Sequence, residues 1–210
     1  MHLHPADGPV AALVLGHGAG GGVAARDLVA VSDVATALGI SVALVEQPYR
    51  VAGRRTPAPA RQLDAAWTAV VVQLREGALT GLPLVVGGRS SGARVACRTA
   101  AEVGAVAVLC LAFPVHPPGR GEDPSKNRLF ELDAVKVPTL VIQGENDPFG
   151  LPPRRRGRTV AAVPGDHSLR STGAVTAAAR KWLAARLAGL YLDAGGRGSH
   201  GSVGARRGRA

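Results

Sequence analysis

Aromatic residues are scarce in this chain, at 3% of 210 residues, so its interior has to be built from Val, Leu, Ala and Ile. Methionine occurs once and cysteine twice. Two cysteines do not make a disulfide framework. Cys97 falls on an expected helix and Cys110 in an apolar strand run, and both read as buried free thiols. Acidic residues are few, 15 Asp and Glu against 25 Lys and Arg, leaving a net charge of +10. Part of that excess is local: Arg197, Arg206, Arg207 and Arg209 fall in a final stretch that contains no acid. Nearly all the cations are arginine, beside abundant Ala, Gly and Val, which is the mark of G- and C-rich codons. The basicity is therefore discounted as a sign of a nucleic-acid partner. No apolar run approaches the roughly 20 residues of a membrane span. Met1–Asp7 has neither the basic start nor the apolar core of a secretory signal. These absences point to a cytoplasmic protein without membrane contact.

What is present is alternation. Strand-length apolar runs at Ala11–Leu15, Ser41–Glu46, Leu84–Gly87, Ala105–Phe113, Thr139–Gln143 and Thr159–Val163 predict about six strands. Between them lie segments of helical period: Ala25–Leu38, with Leu28, Val31, Val34, Ala35 and Leu38 on one face; Arg61–Arg75, with Leu63, Ala66, Trp67, Val70 and Leu74 inward; Ala93–Glu102; and Thr176–Leu192. Gly39 suits the C′ position of the first. Gln47–Pro59 reads as a Pro- and Arg-rich loop. The runs Val106–Leu111 and Thr139–Ile142 are continuously apolar, as strands buried on both faces are. Alternating β and α elements predict an α/β domain over residues 1–193, with a mostly parallel sheet and helices on both faces. Residues 194–210, rich in Gly, Arg and Ser, predict a disordered tail.

One pentapeptide carries chemistry. Gly88-Arg89-Ser90-Ser91-Gly92 follows an apolar strand and precedes a helix, which is the context that gives G-x-S-x-G its meaning. A serine on so sharp a turn presents its hydroxyl outward, and the flanking glycines let strand and helix approach closely. In a parallel α/β sheet, functional residues gather at the carboxyl ends of strands. Ser90, Asp147 (after Thr139–Gln143) and His167 (after Thr159–Val163) all follow such ends, in the order Ser, Asp, His. Serine needs a base to take its proton, a neutral imidazole is such a base, and a carboxylate orients the imidazole. Glu145 sits too early in its loop to be that acid, and Asp166 adjoins His167 and points elsewhere.

Gly16–Gly22 also ends a strand, and two readings of it stand. Gly16, Gly18 and Gly21 match the dinucleotide pattern G-x-G-x-x-G, with Glu46 at roughly the distance of a ribose-binding acid. The other reading is an oxyanion loop, in which backbone N–H groups of Ala19 (less readily Gly20) and Ser91 receive developing negative charge. His17 then organises the loop. Tyr49 and Arg50 are rim candidates, and His116 follows a strand end and is a pocket candidate. Arg89 either draws an anionic substrate or pairs with a nearby acid.

Taken together, Leu15–Gly20, Glu46–Tyr49, Gly87–Val95, Phe113–Gly119, Gln143–Gly150 and Gly165–His167 resemble the small, lidless α/β-hydrolase-fold family. That family includes bacterial hydrolases and the eukaryotic testis-expressed and non-specific-lethal-complex subunit relatives. The resemblance spans most of residues 11–192. It implies an α/β-hydrolase fold without a lid domain and a serine-hydrolase triad of Ser90, Asp147 and His167. Ser91 stands where such chains carry Met, and Ala93 where they carry Gly, which bears on pocket shape more than on chemistry.

The expected function is hydrolysis of a small ester, thioester or related acyl bond. The oxyanion donors are Ala19 and Ser91, and the substrate contacts His17, Gly20, Tyr49, Arg89 and His116. No metal-ligand spacing is visible and no cofactor is expected. The expected partner is a small acyl substrate, with nucleic acid, if it binds at all, confined to the basic tail. Activity should rise with pH as His167 loses its proton. The alternative is a non-catalytic interaction module on the same fold.

Overall fold

The computed structural model describes residues 1–195. Seven strands form one sheet: β1 (His2–His4), β2 (Ala11–Gly16), β3 (Ile40–Val45), β4 (Leu84–Arg89), β5 (Ala107–Leu111), β6 (Thr139–Gly144) and β7 (Arg158–Val163). Their order across the sheet is β1-β3-β2-β4-β5-β6-β7, and all pairs are parallel except β1 with β3. The helices are α1 (Arg26–Thr36), α2 (Pro48–Val51), α3 (Ala60–Glu76), α4 (Ser91–Thr99), α5 (Leu129–Asp133) and α6 (Thr172–Gly195). None of them is long and apolar enough to cross a membrane.

The sheet is buried on both sides, which is why its strands read as unbroken apolar runs. Along β2, Ala12 and Val14 pack with Leu63, Trp67, Val95 and Leu132 of α3, α4 and α5. The alternate residues Leu13 and Leu15 pack with Leu28 and Val31 of α1 and Val175, Ala179 and Leu183 of α6. Two cores thus sandwich one sheet, and the few aromatics are spent sparingly, Tyr49, Trp67 and Phe113 in one core and Trp182 in the other. Cys97 and Cys110 are buried free thiols with sulfurs 3.6 Å apart. Their mutual hydrogen bond, with burial, pushes the Cys97 thiol up.

Several expectations need correction. The sheet has seven strands rather than six. The added strand, β1, has three exposed residues and no hydrophobic pattern, so only pairing with β3 (His2 with Leu44, His4 with Val42) makes it a strand. The Gln47–Pro59 loop begins with the short helix α2. Helix α4 starts at Ser91, two residues earlier than its apolar period implies, and ends at Thr99. The terminal helix α6 begins at Thr172 and continues to Gly195, so it takes in the first two residues assigned to the tail; residues 196–210 lie outside the described residues. Where a lid could stand, residues 113–136 carry one 3₁₀ turn, Pro124–Lys126, and the short α5.

The topology places the site. From β2 the chain moves outward to β3, then crosses back to β4 on the other side of β2. A crevice forms outside the carboxyl ends of strands at such a reversal. The Gly16–Gly22 loop and the Ser90 turn both open into it.

Candidate active site

Ser90 occupies the turn between β4 and α4 with φ 51° and ψ −112°, a left-handed backbone that costs a non-glycine residue on the order of 1–3 kcal/mol. Its N–H donates to the Leu111 carbonyl at 2.8 Å, which pins the turn to β5. Glycine is obligatory on both sides. A Cβ on Gly88 would come within 2.5 Å of the Gly16 carbonyl oxygen, and one on Gly92 would strike the same β2 end.

Ser90, His167 and Asp147 come together as a hydrogen-bonded chain. The Ser90 hydroxyl lies 3.0 Å from His167 Nε2, and His167 Nδ1 lies 2.9 and 3.1 Å from the two Asp147 carboxylate oxygens. With the proton on Nδ1, the ring donates to Asp147 and leaves Nε2 free to accept from serine. The Asp147 side chain is fully buried, whereas His167 keeps 17% of its side-chain surface exposed at the cleft. Asp166 is turned away and accepts from the Ser168 N–H at 2.8 Å. Glu145 is exposed.

Two residues that hold this chain escaped the sequence reading. Buried Gln143, at the end of β6, donates from Nε2 to Asp147 Oδ2 at 2.7 Å and lies within 3.1 Å of the Phe113 and Gly150 carbonyl oxygens. The Phe149 N–H donates to Asp147 Oδ1 at 2.8 Å. The Phe149 ring packs over His167, centroids 4.1 Å apart and planes tilted by 30°. A polar side chain closing a buried apolar strand, four residues before the acid, was the available signal for Gln143.

The cleft in front of Ser90 has a volume of about 450 Å³. Ala19, Gly20, Arg89 and Ser91 line it, together with Phe149 and His167. Among the described residues the backbone N–H groups of Ala19 and Ser91 have no hydrogen-bond acceptor, and Ser91 opens α4 where helical N–H groups are unpaired. Arg89 is paired: its Nε donates to buried Asp27 at 2.8 Å and its Nη2 to the His167 carbonyl at 3.0 Å. It therefore clamps the strand end, α1 and the histidine loop together. Burial pushes the Asp27 carboxyl up, and Arg89 opposes that shift.

Three expected substrate contacts are placed otherwise. His17 is fully buried. Its Nδ1–H donates to the Gly18 carbonyl at 2.8 Å, and its Nε2 accepts from the Gln47 N–H at 2.9 Å. Burial lowers its pKa, so it stands as a neutral ring with both nitrogens engaged in shaping the loop. Tyr49 is buried and donates from its hydroxyl to the Ala19 carbonyl at 2.9 Å, bracing the Gly16–Gly22 loop. His116 folds onto its own loop, donating from Nδ1 to Pro117 O at 2.9 Å beside Gly150. For His17 this is the loop-organising role that the sequence also suggested; for Tyr49 and His116, a position after a strand end does not specify which way the side chain turns.

Comparison with known proteins agrees with this architecture. A family model described as an alpha/beta hydrolase domain matches residues 9–185. Est1E from Butyrivibrio proteoclasticus superposes with a TM-score of 0.69 at 14% identity, covering 89% of this chain and 93% of that one. An α/β serine hydrolase without a lid from Xanthomonas campestris gives a TM-score of 0.63 at 20% identity, covering 86% and 87%. Dienelactone hydrolase from Anabaena variabilis gives 0.65 at 21%, covering 85% and 86%. No curated protein matches the sequence. At these identities the structural likenesses speak to the fold.

Proposed function

This chain belongs to the alpha/beta hydrolase domain family, and on that premise we propose that it is a serine hydrolase acting on a small ester, thioester or related acyl bond. The observation that carries the reading is the continuous hydrogen-bonded chain from Ser90 through His167 to buried Asp147, with the hydroxyl at the edge of an open cleft. In this reading Ser90 Oγ attacks the acyl carbonyl carbon while its proton passes to His167 Nε2. The carbonyl oxygen becomes an oxyanion between the Ala19 and Ser91 N–H groups. The bond to the leaving alcohol or thiol breaks as His167 returns the proton to it. Water then attacks the acyl-serine, gives its proton to His167 and releases the acid, and the proton goes back to Ser90.

Each element of the site has one task in this scheme. Asp147 stabilises the imidazolium and holds the ring's tautomer, Gln143 and the Phe149 N–H hold Asp147, and Arg89 holds the histidine loop by its carbonyl. The short 113–136 segment leaves the cleft open on one side, and a volume of about 450 Å³ suits a small substrate. A series of p-nitrophenyl esters tests this directly. The expected result is the highest kcat/KM at acetate or butyrate and a fall by octanoate and decanoate. A maximum at the long chains would contradict the small-substrate reading, and no turnover of any ester would count against hydrolysis.

A further inference from the structure

Four guanidinium groups wall the cleft beside Ser90: those of Arg89, Arg94, Arg98 and Arg128. Three carboxylates answer them. Asp27 takes Arg89. Asp64 takes the fork of Arg98 at 2.6 and 2.8 Å. Buried Glu131 accepts two bonds from Arg94, at 2.6 and 2.7 Å, and a third from Arg98 at 2.9 Å. Its two oxygens thus take three donors from two guanidiniums, and none from Arg128.

Arg128 is the remaining cation. Its guanidinium makes no hydrogen bond or ion pair with any described residue, although the residue is half-buried. Its backbone is fixed: the N–H donates to the Val115 carbonyl at 2.8 Å, and α5 begins at the next residue. Burial, and then the like charge of Arg94, lower its pKa, and the Glu131 carboxylate only partly offsets them, so its positive charge is held at a cost. A guanidinium remains protonated in proteins, so that cost is relieved by an anion rather than by loss of the proton.

We propose that Arg128 is a specificity-determining residue, and that the cleft takes acyl substrates bearing one carboxylate besides the scissile bond, with that carboxylate seated on Arg128. The inference rests on Ser90 being the nucleophile. The pairing pattern chooses the ligand: three of the four guanidiniums are each held by a carboxylate, and the single unpaired one, Arg128, matches a singly charged carboxylate better than a doubly charged phosphate. The planar fork of arginine suits carboxylate geometry. Leu63, Pro114 and Phe149 supply apolar wall for the carbon chain between the two groups.

The test compares charged and neutral partners by pH-stat. Monomethyl adipate against dimethyl adipate places the carboxylate on the acyl side; 4-acetoxybenzoate against its methyl ester places it on the leaving side. In at least one pair the wild type favours the anion by about tenfold or more in kcat/KM, the scale of one charge-assisted hydrogen-bond pair. Arg128→Gln brings that ratio near one, chiefly through KM, Arg128→Lys retains part of it, and added salt lowers it in the wild type. A ratio near one in both wild-type pairs, or one unmoved in Arg128→Gln, overturns the proposal while leaving hydrolysis intact. So does inhibition by inorganic phosphate stronger than by acetate. If Arg128→Gln does not fold, the Lys variant and the salt dependence decide. If no ester is turned over, the hydrolase reading fails on its own. Calorimetry on Ser90→Ala then decides for Arg128: monomethyl adipate must bind about tenfold tighter than dimethyl adipate, and must lose that margin when Arg128→Gln is added.

Discussion

Ser90→Ala lowers kcat for a short ester by about 10⁴- to 10⁶-fold, the scale on which a serine nucleophile acts with its base and oxyanion donors. The fold is expected to survive the change. Alanine keeps the Cβ, so the strained φ of 51° costs it about what it costs serine. Among the described residues the only side-chain hydrogen bond lost is the one to His167 at 3.0 Å. Steady-state kinetics beside a thermal melt separate the two effects: the rate collapses while Tm moves by no more than a few degrees. A variant that retains a tenth of wild-type kcat would remove Ser90 from the chemistry.

Asp147→Asn comes close behind, with an expected loss of about 10⁴-fold in kcat. The side chain is fully buried and takes part in a fixed pattern, accepting from Gln143 Nε2, the Phe149 N–H and His167 Nδ1. An amide is nearly isosteric, so packing is retained, but its NH₂ donates where the carboxylate accepted. Turned toward His167, that NH₂ requires Nδ1 to be the acceptor, which moves the ring proton to Nε2 and leaves no base facing Ser90. Turned the other way, into the Oδ1 position, it meets the Phe149 N–H donor to donor. Either way the negative charge opposite the imidazolium is gone. The matching measurement is kcat against pH for the same ester. Near-wild-type kcat at neutral pH would mean that Asp147 is a structural turn acid.

Legibility in the sequence divided along physical lines. The Ser90 turn was readable because its constraint is local: two glycines are demanded by the approach of β4 and α4 to Gly16, and they appear as letters flanking the serine. Asp147 and His167 were readable because a parallel sheet delivers the residue after each strand to one edge, whatever the intervening sequence. The strands themselves announced their burial on both faces through continuous apolar runs such as Ala107–Leu111. What stayed hidden depends on partners far along the chain. The strand at His2–His4 is defined only by its pairing with Val42–Leu44. Tyr49 looked like a rim residue, yet its hydroxyl is committed to the Ala19 carbonyl, and the partner through which His17 organises its loop, the Gln47 N–H, lies at the end of another strand. The arginines of α4 gave no sign of facing the cleft, because the carboxylates that neutralise them sit on α3 and α5. Arg128 becomes conspicuous only once those pairings are known.

The central claim is that Ser90 is a nucleophile activated by His167. Treating the folded wild-type protein with a fluorophosphonate probe and locating the adduct by peptide mass spectrometry tests it most directly, since such reagents phosphonylate serines whose proton a base removes. The account predicts a single stoichiometric adduct on the peptide carrying Ser90, absent from Ser90→Ala under the same conditions. A folded wild-type protein that takes up no label, or takes it up on another residue, would contradict it.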